Sequence, residues 1–145
     1  MEFFRLYLFL FVFSLFNFSQ VVVAQDFDET FKKGLMAYKA GNYAEALTFF
    51  DAELKSKPSS HETFFMKGKC KFELGDYNVA LDNFSQSVAL MPQEPDYYFF
   101  KGLAQWKLKR YKVAIKDLED ALIYNPKHFI AYQVLGSVHH EIKMF

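Results

Sequence analysis

Apolar and small residues recur along this chain every 34 positions without an insertion. Gly34, Gly68, Gly102 and Gly136 set the period. Tyr43, Tyr77 and Tyr111 keep step with it, as do Ala46, Ala80 and Ala114, then Phe50, Phe84 and Leu118, then Pro58, Pro92 and Pro126. A fixed period of this size marks a stack of short units, none of which can bury its apolar face alone. Each unit reads as two amphipathic helices joined by a tight turn. The first copy predicts a helix from about Asp28 to Ala40, a turn at Gly41-Asn42, and a helix from Tyr43 to about Ser56 closed by Pro58. The second predicts helices from about His61 to Leu74 and from Tyr77 to Leu90, with the turn at Gly75-Asp76.

The turn chemistry has specific causes. Glycine enters the left-handed region at little steric cost, and Asn42 or Asp76 can accept a bond from the first free amides of the next helix. Asn42 followed by Glu45 has the form of a capping box. The third copy, about Pro95 to His128, has Lys109-Arg110 in place of these residues. A left-handed Lys109 costs about 1–2 kcal/mol, so this turn is expected to be the least regular of the three. A fourth unit opens at about Phe129 and stops after one helix, which suggests either a capping element or a shortened chain.

Residues 1–24 are different material. Leu6 to Phe16 is apolar except for Ser14, with Arg5 before it and Val22 and Ala24 forming a small-residue cleavage signal after it. This run has the length of a secretory core and falls short of the ~20 residues that span a bilayer. The expectation is a signal peptide, with an uncleaved membrane anchor as the alternative. Seven of the 19 phenylalanines lie in this segment, so the remainder is less aromatic than the whole.

Lys+Arg and Asp+Glu are balanced at 17 each, which removes the basic footprint that nucleic-acid binding needs. Cys70 is the only cysteine. It excludes an intramolecular disulfide and reads as a small core residue.

Gly34, Gly41, Tyr43, Ala46, Phe50 and Pro58, repeated in the next two copies, resemble the tetratricopeptide repeat, a 34-residue helix-turn-helix unit. The resemblance implies an all-α fold: an α-solenoid of three repeats at about 27–60, 61–94 and 95–128, plus a partial repeat at 129–145. Two departures stand out. Lys33, Lys67 and Lys101 precede the glycines where leucine is usual, and Glu53 and Ser87 replace the small alanine that Ala121 keeps. Both suggest looser packing in the first two units.

The resemblance also implies binding of a protein or peptide segment in a concave groove lined by the first helix of each unit. Residues three before, one after and four after each glycine share one helix face. They are Phe31, Leu35 and Tyr38; Phe65, Lys69 and Phe72; Phe99, Leu103 and Trp106; then Gln133, Ser137 and His140. For Phe31, Phe65 and Phe99, core packing and groove lining are both open; for Tyr38, Phe72 and Trp106 the groove is preferred, since Trp and Tyr are enriched at binding surfaces. Asp28, Glu62 and Asp96 recur six before the glycines and suit helix N-termini. Some relatives grip chaperone C-terminal carboxylates with lysine, asparagine and arginine. Phe31, Leu35, Met66, Asp96 and Phe100 occupy the matching places and supply none of those donors.

No catalytic constellation is present. Adjacent His139 and His140 point about 100° apart on a helix and cannot share a metal. There is no phosphate loop, serine elbow or activated cysteine. Asn83-Phe84-Ser85 fits a glycosylation sequon inside a predicted helix, where chance explains it. The sequence therefore predicts a non-enzymatic, cofactor-free interaction module, exported to a bacterial periplasm or secreted. The alternatives are a membrane-tethered or self-associating scaffold and a fragment of a longer repeat protein.

Overall fold

The computed structural model describes residues 29–144, which form helices and turns with no strand among them. The order is α1 (29–39), α2 (Tyr43–Ser56), α3 (His61–Glu73), α4 (Tyr77–Leu90), α5 (Pro95–Lys107), α6 (Tyr111–Tyr124) and α7 (Phe129–Lys143). From α2 onward each helix packs on the next, and α5 also touches α3 and α7, so the odd-numbered helices form one row. The signal or anchor expected at 1–24 lies outside the described residues. Among those described, no helix is long and apolar enough to cross a membrane.

The repeated glycines explain how closely paired helices approach. A Cβ on Gly34 would sit 2.6 Å from the Phe50 ring, on Gly68 2.5 Å from the Phe84 ring, and on Gly102 2.9 Å from Leu118. Phe50, Phe84 and Leu118 are fully buried, as are Ala46, Ala80 and Ala114 one turn earlier. Each hairpin thus has a notch on its first helix and a large side chain on its second. Burial of such side chains is the main stabilising term, about 1.5–3 kcal/mol each.

Gly41 and Gly75 have φ of 79°, and Lys109 takes the same left-handed region at 58°. All three turns close with the same amide bond to the carbonyl five residues back: Asn42 N–H to Ala37 O, Asp76 N–H to Lys71 O and Arg110 N–H to Gln105 O, each 2.9 Å. The Lys109 turn is therefore as regular as the others, contrary to the sequence expectation. The backbone bonds and the packing on either side hold lysine in a conformation it does not favour.

The expected side-chain caps at Asn42 and Asp76 are also absent. Asn42 Nδ2 instead donates to Glu45 Oε2 at 3.3 Å, and Asp76 accepts from Lys71 Nζ at 3.4 Å. True caps stand between repeats, where Ser60 Oγ accepts from Thr63 N–H and His128 Nδ1 accepts from Ala131 N–H, both at 3.2 Å.

Two of the three lysines before the glycines tie neighbouring helices together. Lys67 pairs with Asp51 on α2, and Lys101 Nζ donates to Asp117 Oδ1 on α6 at 2.6 Å. Burial pushes the Asp117 carboxyl above the usual aspartate range, while the Lys101 contact pulls the other way. Ser87 is buried and donates to the His61 carbonyl at 3.1 Å, which ties α4 to α3. Cys70 is buried, and burial raises its thiol to about 11. Asn83 donates to Val79 O at 2.8 Å within α4, beside buried Phe84.

Candidate functional site

The three aromatic positions preceding each glycine by three are not equivalent. Phe31 is half-buried with its ring 5.6 Å from Phe50. Phe65 lies 4.7 Å from Tyr97, 5.2 Å from Phe100 and 5.8 Å from Phe84. Phe99 is 7% exposed, against His128 at 4.7 Å and Phe100 at 5.3 Å. Phe99 is thus core, because the ring of His128, which caps the start of α7, covers it. Gln133, the fourth member, is exposed.

In the row after each glycine, Leu35 and Leu103 are half-buried and Ser137 is exposed. Lys69 stands out among them. Its ammonium lies 5.0 Å from the Tyr38 ring centre, 5.1 Å from Phe100 and 5.6 Å from Phe65, joining rings from three successive repeats. Such contacts draw a cation toward ring faces. Phe100, placed by the sequence at a clamp position, has an aromatic role that sequence reasoning missed: it meets Phe65, Phe84 and Phe99. Its periodic partners Met66 and Lys32 are not aromatic, so no row flagged it.

In the last row, Tyr38 packs on Tyr43 at 5.5 Å and Phe72 on Tyr77 at 5.2 Å, each ring bridging its own turn. Burial pushes the Tyr38 hydroxyl up to about 12, with nearby Glu73 adding to the effect. Trp106 is half-buried and its Nε1–H donates to Glu141 on α7. Together with Gln133, Gly136, Ser137, His140 and Met144 it lines an open cleft of about 640 Å³. The structure therefore joins Trp106, Gln133, Ser137 and His140 at one end of the odd-helix row, and Tyr38, Phe65 and Lys69 nearer the other.

A second cavity, of about 550 Å³, lies between the first two repeats and is lined by Phe31, Glu53, Lys57, Pro58, Ser59, Ser60 and Glu62. Its origin is visible in the period. Tyr97 fills the space beside Phe65, and shares a 2.7 Å hydrogen bond with His61. Thr63 holds the equivalent position in the period and is far smaller. Burial raises the Tyr97 hydroxyl to about 12. The looseness expected of the first two units appears at this first junction. Glu53 is 1% exposed, its Oε1 is 3.0 Å from Lys57 Nζ, and its Oε2 accepts no hydrogen bond. Among the described residues no group of three or more His, Cys, Asp or Glu could hold a metal ion.

Sequence comparison matches residues 15–87 to the model of the family described as anaphase-promoting complex, cyclosome, subunit 3. The tetratricopeptide repeat model matches 65–127 and 101–143, together more than half of the chain. No curated protein sequence matches. Among solved structures, the first repeat domain of Spaghetti (RPAP3) bound to the HSP90 peptide SRMEEVD is similar at 24% identity and TM-score 0.79, over 82% of this chain and 94% of that one. The Arabidopsis OM64 repeat domain is similar at 21% identity and TM-score 0.76, over 79% and 94%. MamA 41-end from Desulfovibrio magneticus RS-1 is similar at 24% identity and TM-score 0.77, over 81% and 66%. These likenesses are of fold. Period, notched helices, left-handed turns and matched models agree that the chain belongs to the tetratricopeptide repeat family.

Proposed function

We propose that this protein is an exported interaction module that holds a segment of a partner polypeptide along the face made by α1, α3, α5 and α7. One observation carries the reading: that face keeps Trp106, His140 and Ser137 around an open cleft and Lys69 over three rings, instead of sealing these groups in the core. The peptide bound by the RPAP3 domain supports a polypeptide ligand in general. The clamp positions Phe31, Leu35, Met66, Asp96 and Phe100 argue against a chaperone carboxylate tail here. Export rests on the apolar run before Ala24. Crosslinking the full chain in its native cells tests the reading. Tyr38→Ala combined with Trp106→Ala should abolish the adduct while helical content and melting cooperativity stay intact; an undiminished adduct refutes the groove.

A self-associating scaffold is the second reading, favoured by exposed apolar residues on α7. Phe129 is 75% exposed and Ile130 58%, and no atom lies within 4 Å of a Cβ placed on Gly136. Sedimentation of the full chain over a concentration range separates the two readings. A strict monomer removes self-association.

A further inference from the structure

We infer that the cavity between the first two repeats is a seat for an arginine side chain of the partner segment. This inference rests on the groove reading, since Phe31 belongs to its first row, and it adds the chemistry of one contact. Three observations converge on it. The Phe31 ring forms one wall, where the second junction places the flat Tyr97 ring 4.7 Å from the corresponding Phe65. No ring takes that role at the first junction, where Thr63 stands in the period at the place of Tyr97.

The second observation is charge. Glu53 and Glu62 line the cavity against the single ammonium of Lys57, and Glu62 also meets His61 Nε2 and Ser60 Oγ, each at 3.4 Å, so two carboxylates share one ammonium there. The third is an unsatisfied acceptor. The Glu53 side chain is 2% exposed, one oxygen serves Lys57, and Oε2 has no donor. A buried carboxylate oxygen without a donor is costly and rare. The internal comparison sharpens this point, because Ser87 at the same place in the next repeat is satisfied by the His61 carbonyl and Ala121 has no polar atom.

A guanidinium matches the ring wall and the carboxylate excess, and it meets Oε2 once the Glu53 side chain turns outward, since that atom is closed to solvent as the structure stands. The guanidinium is planar and stacks on an aromatic face, and its five donors form a fork that suits carboxylates. A lysine ammonium has the charge without the plane. A phenol has the plane and one donor without the charge.

The test uses the full ¹⁵N-labelled chain and small probes, so its outcome does not depend on the partner being known. N-acetyl-arginine amide should shift the Ser59, Ser60 and Glu62 amides saturably. The isosteric but neutral N-acetyl-citrulline amide should bind at least tenfold more weakly, and N-acetyl-lysine amide should also be weaker. Glu53→Gln, which keeps size and removes charge, should reduce arginine binding at least tenfold. Thr63→Tyr should abolish it by filling the space as Tyr97 does one repeat later. Equal shifts from arginine and citrulline, equal binding of lysine, or unchanged binding in Glu53→Gln would overturn the assignment. Loss of these shifts with the Tyr38/Trp106-dependent adduct intact would remove the seat and leave the groove standing.

Discussion

Gly68 and Gly136 hold the same place in their repeats, two periods apart, yet meet opposite surroundings. A Cβ on Gly68 would strike the Phe84 ring at 2.5 Å, whereas one on Gly136 would meet nothing within 4 Å. The residue is the same and its task is not. In the second repeat glycine admits a ring from the paired helix; on α7 it lines an open cleft with exposed Met144. Periodicity identifies a position, but the neighbour that reaches it decides what that position contributes.

The strongest way to break this contrast is to empty the filled notch. Phe84→Ala removes a fully buried ring and should cost about 3–5 kcal/mol in denaturant melts. A loss below about 1 kcal/mol would mean that the notch was never the organising contact.

The next effect is alkaline. The Tyr97 hydroxyl rises from 10.0 to about 12 on folding, chiefly through burial. The folded state therefore favours the neutral phenol, so the contribution of Tyr97 to stability is complete below pH 10 and declines as pH climbs toward 12. Urea melts at both ends of that window should show the decline, and Tyr97→Phe should reduce it, leaving the share that Tyr38 and Cys70 contribute with the same sign. An equal decline in the variant would assign the effect elsewhere.

Gly68→Ala sharpens the comparison directly, because the added methyl overpacks the Phe84 contact and should destabilise by about 1–3 kcal/mol. Gly136→Ala should do the reverse, gaining about 0.5–1 kcal/mol from helix propensity alone. Matching signs would dissolve the distinction. Lys109→Gly, tested by the same melts, should stabilise by about 1 kcal/mol by relieving its left-handed strain.

Much of this fold was legible because the period repeats the same steric requirement. Gly34, Gly68 and Gly102 announce close helix approach, and the 34-residue shift aligned Lys109 with Gly41 and Gly75 at positive φ. The sequence misjudged the consequence at Lys109, since the amide bond from Arg110 to Gln105 O keeps its turn regular. It also misjudged Asn42 and Asp76, whose side chains turn to Glu45 and Lys71 instead of capping their helices.

The face proposed for binding was only partly readable. Helical spacing placed Tyr38, Lys69, Trp106 and His140 on one side, but spacing along one helix cannot tell what the next helix lays over a ring. His128 covers Phe99, and Tyr97 covers Phe65. The cavity beside Phe31 did leave a trace, as Thr63 opposite Tyr97 and Glu53 opposite Ser87 and Ala121. Each substitution has meaning only once the helices are known to meet there.

The most direct test of the binding face is site-specific photocrosslinking of the full chain in its native cells, with the reactive group at exposed Ser137 on α7 or at exposed Lys116 on α6. Adducts to a partner from position 137 and none from 116 are expected. Equal labelling from both positions, or labelling from 116 alone, would contradict a partner held along the odd-numbered helices.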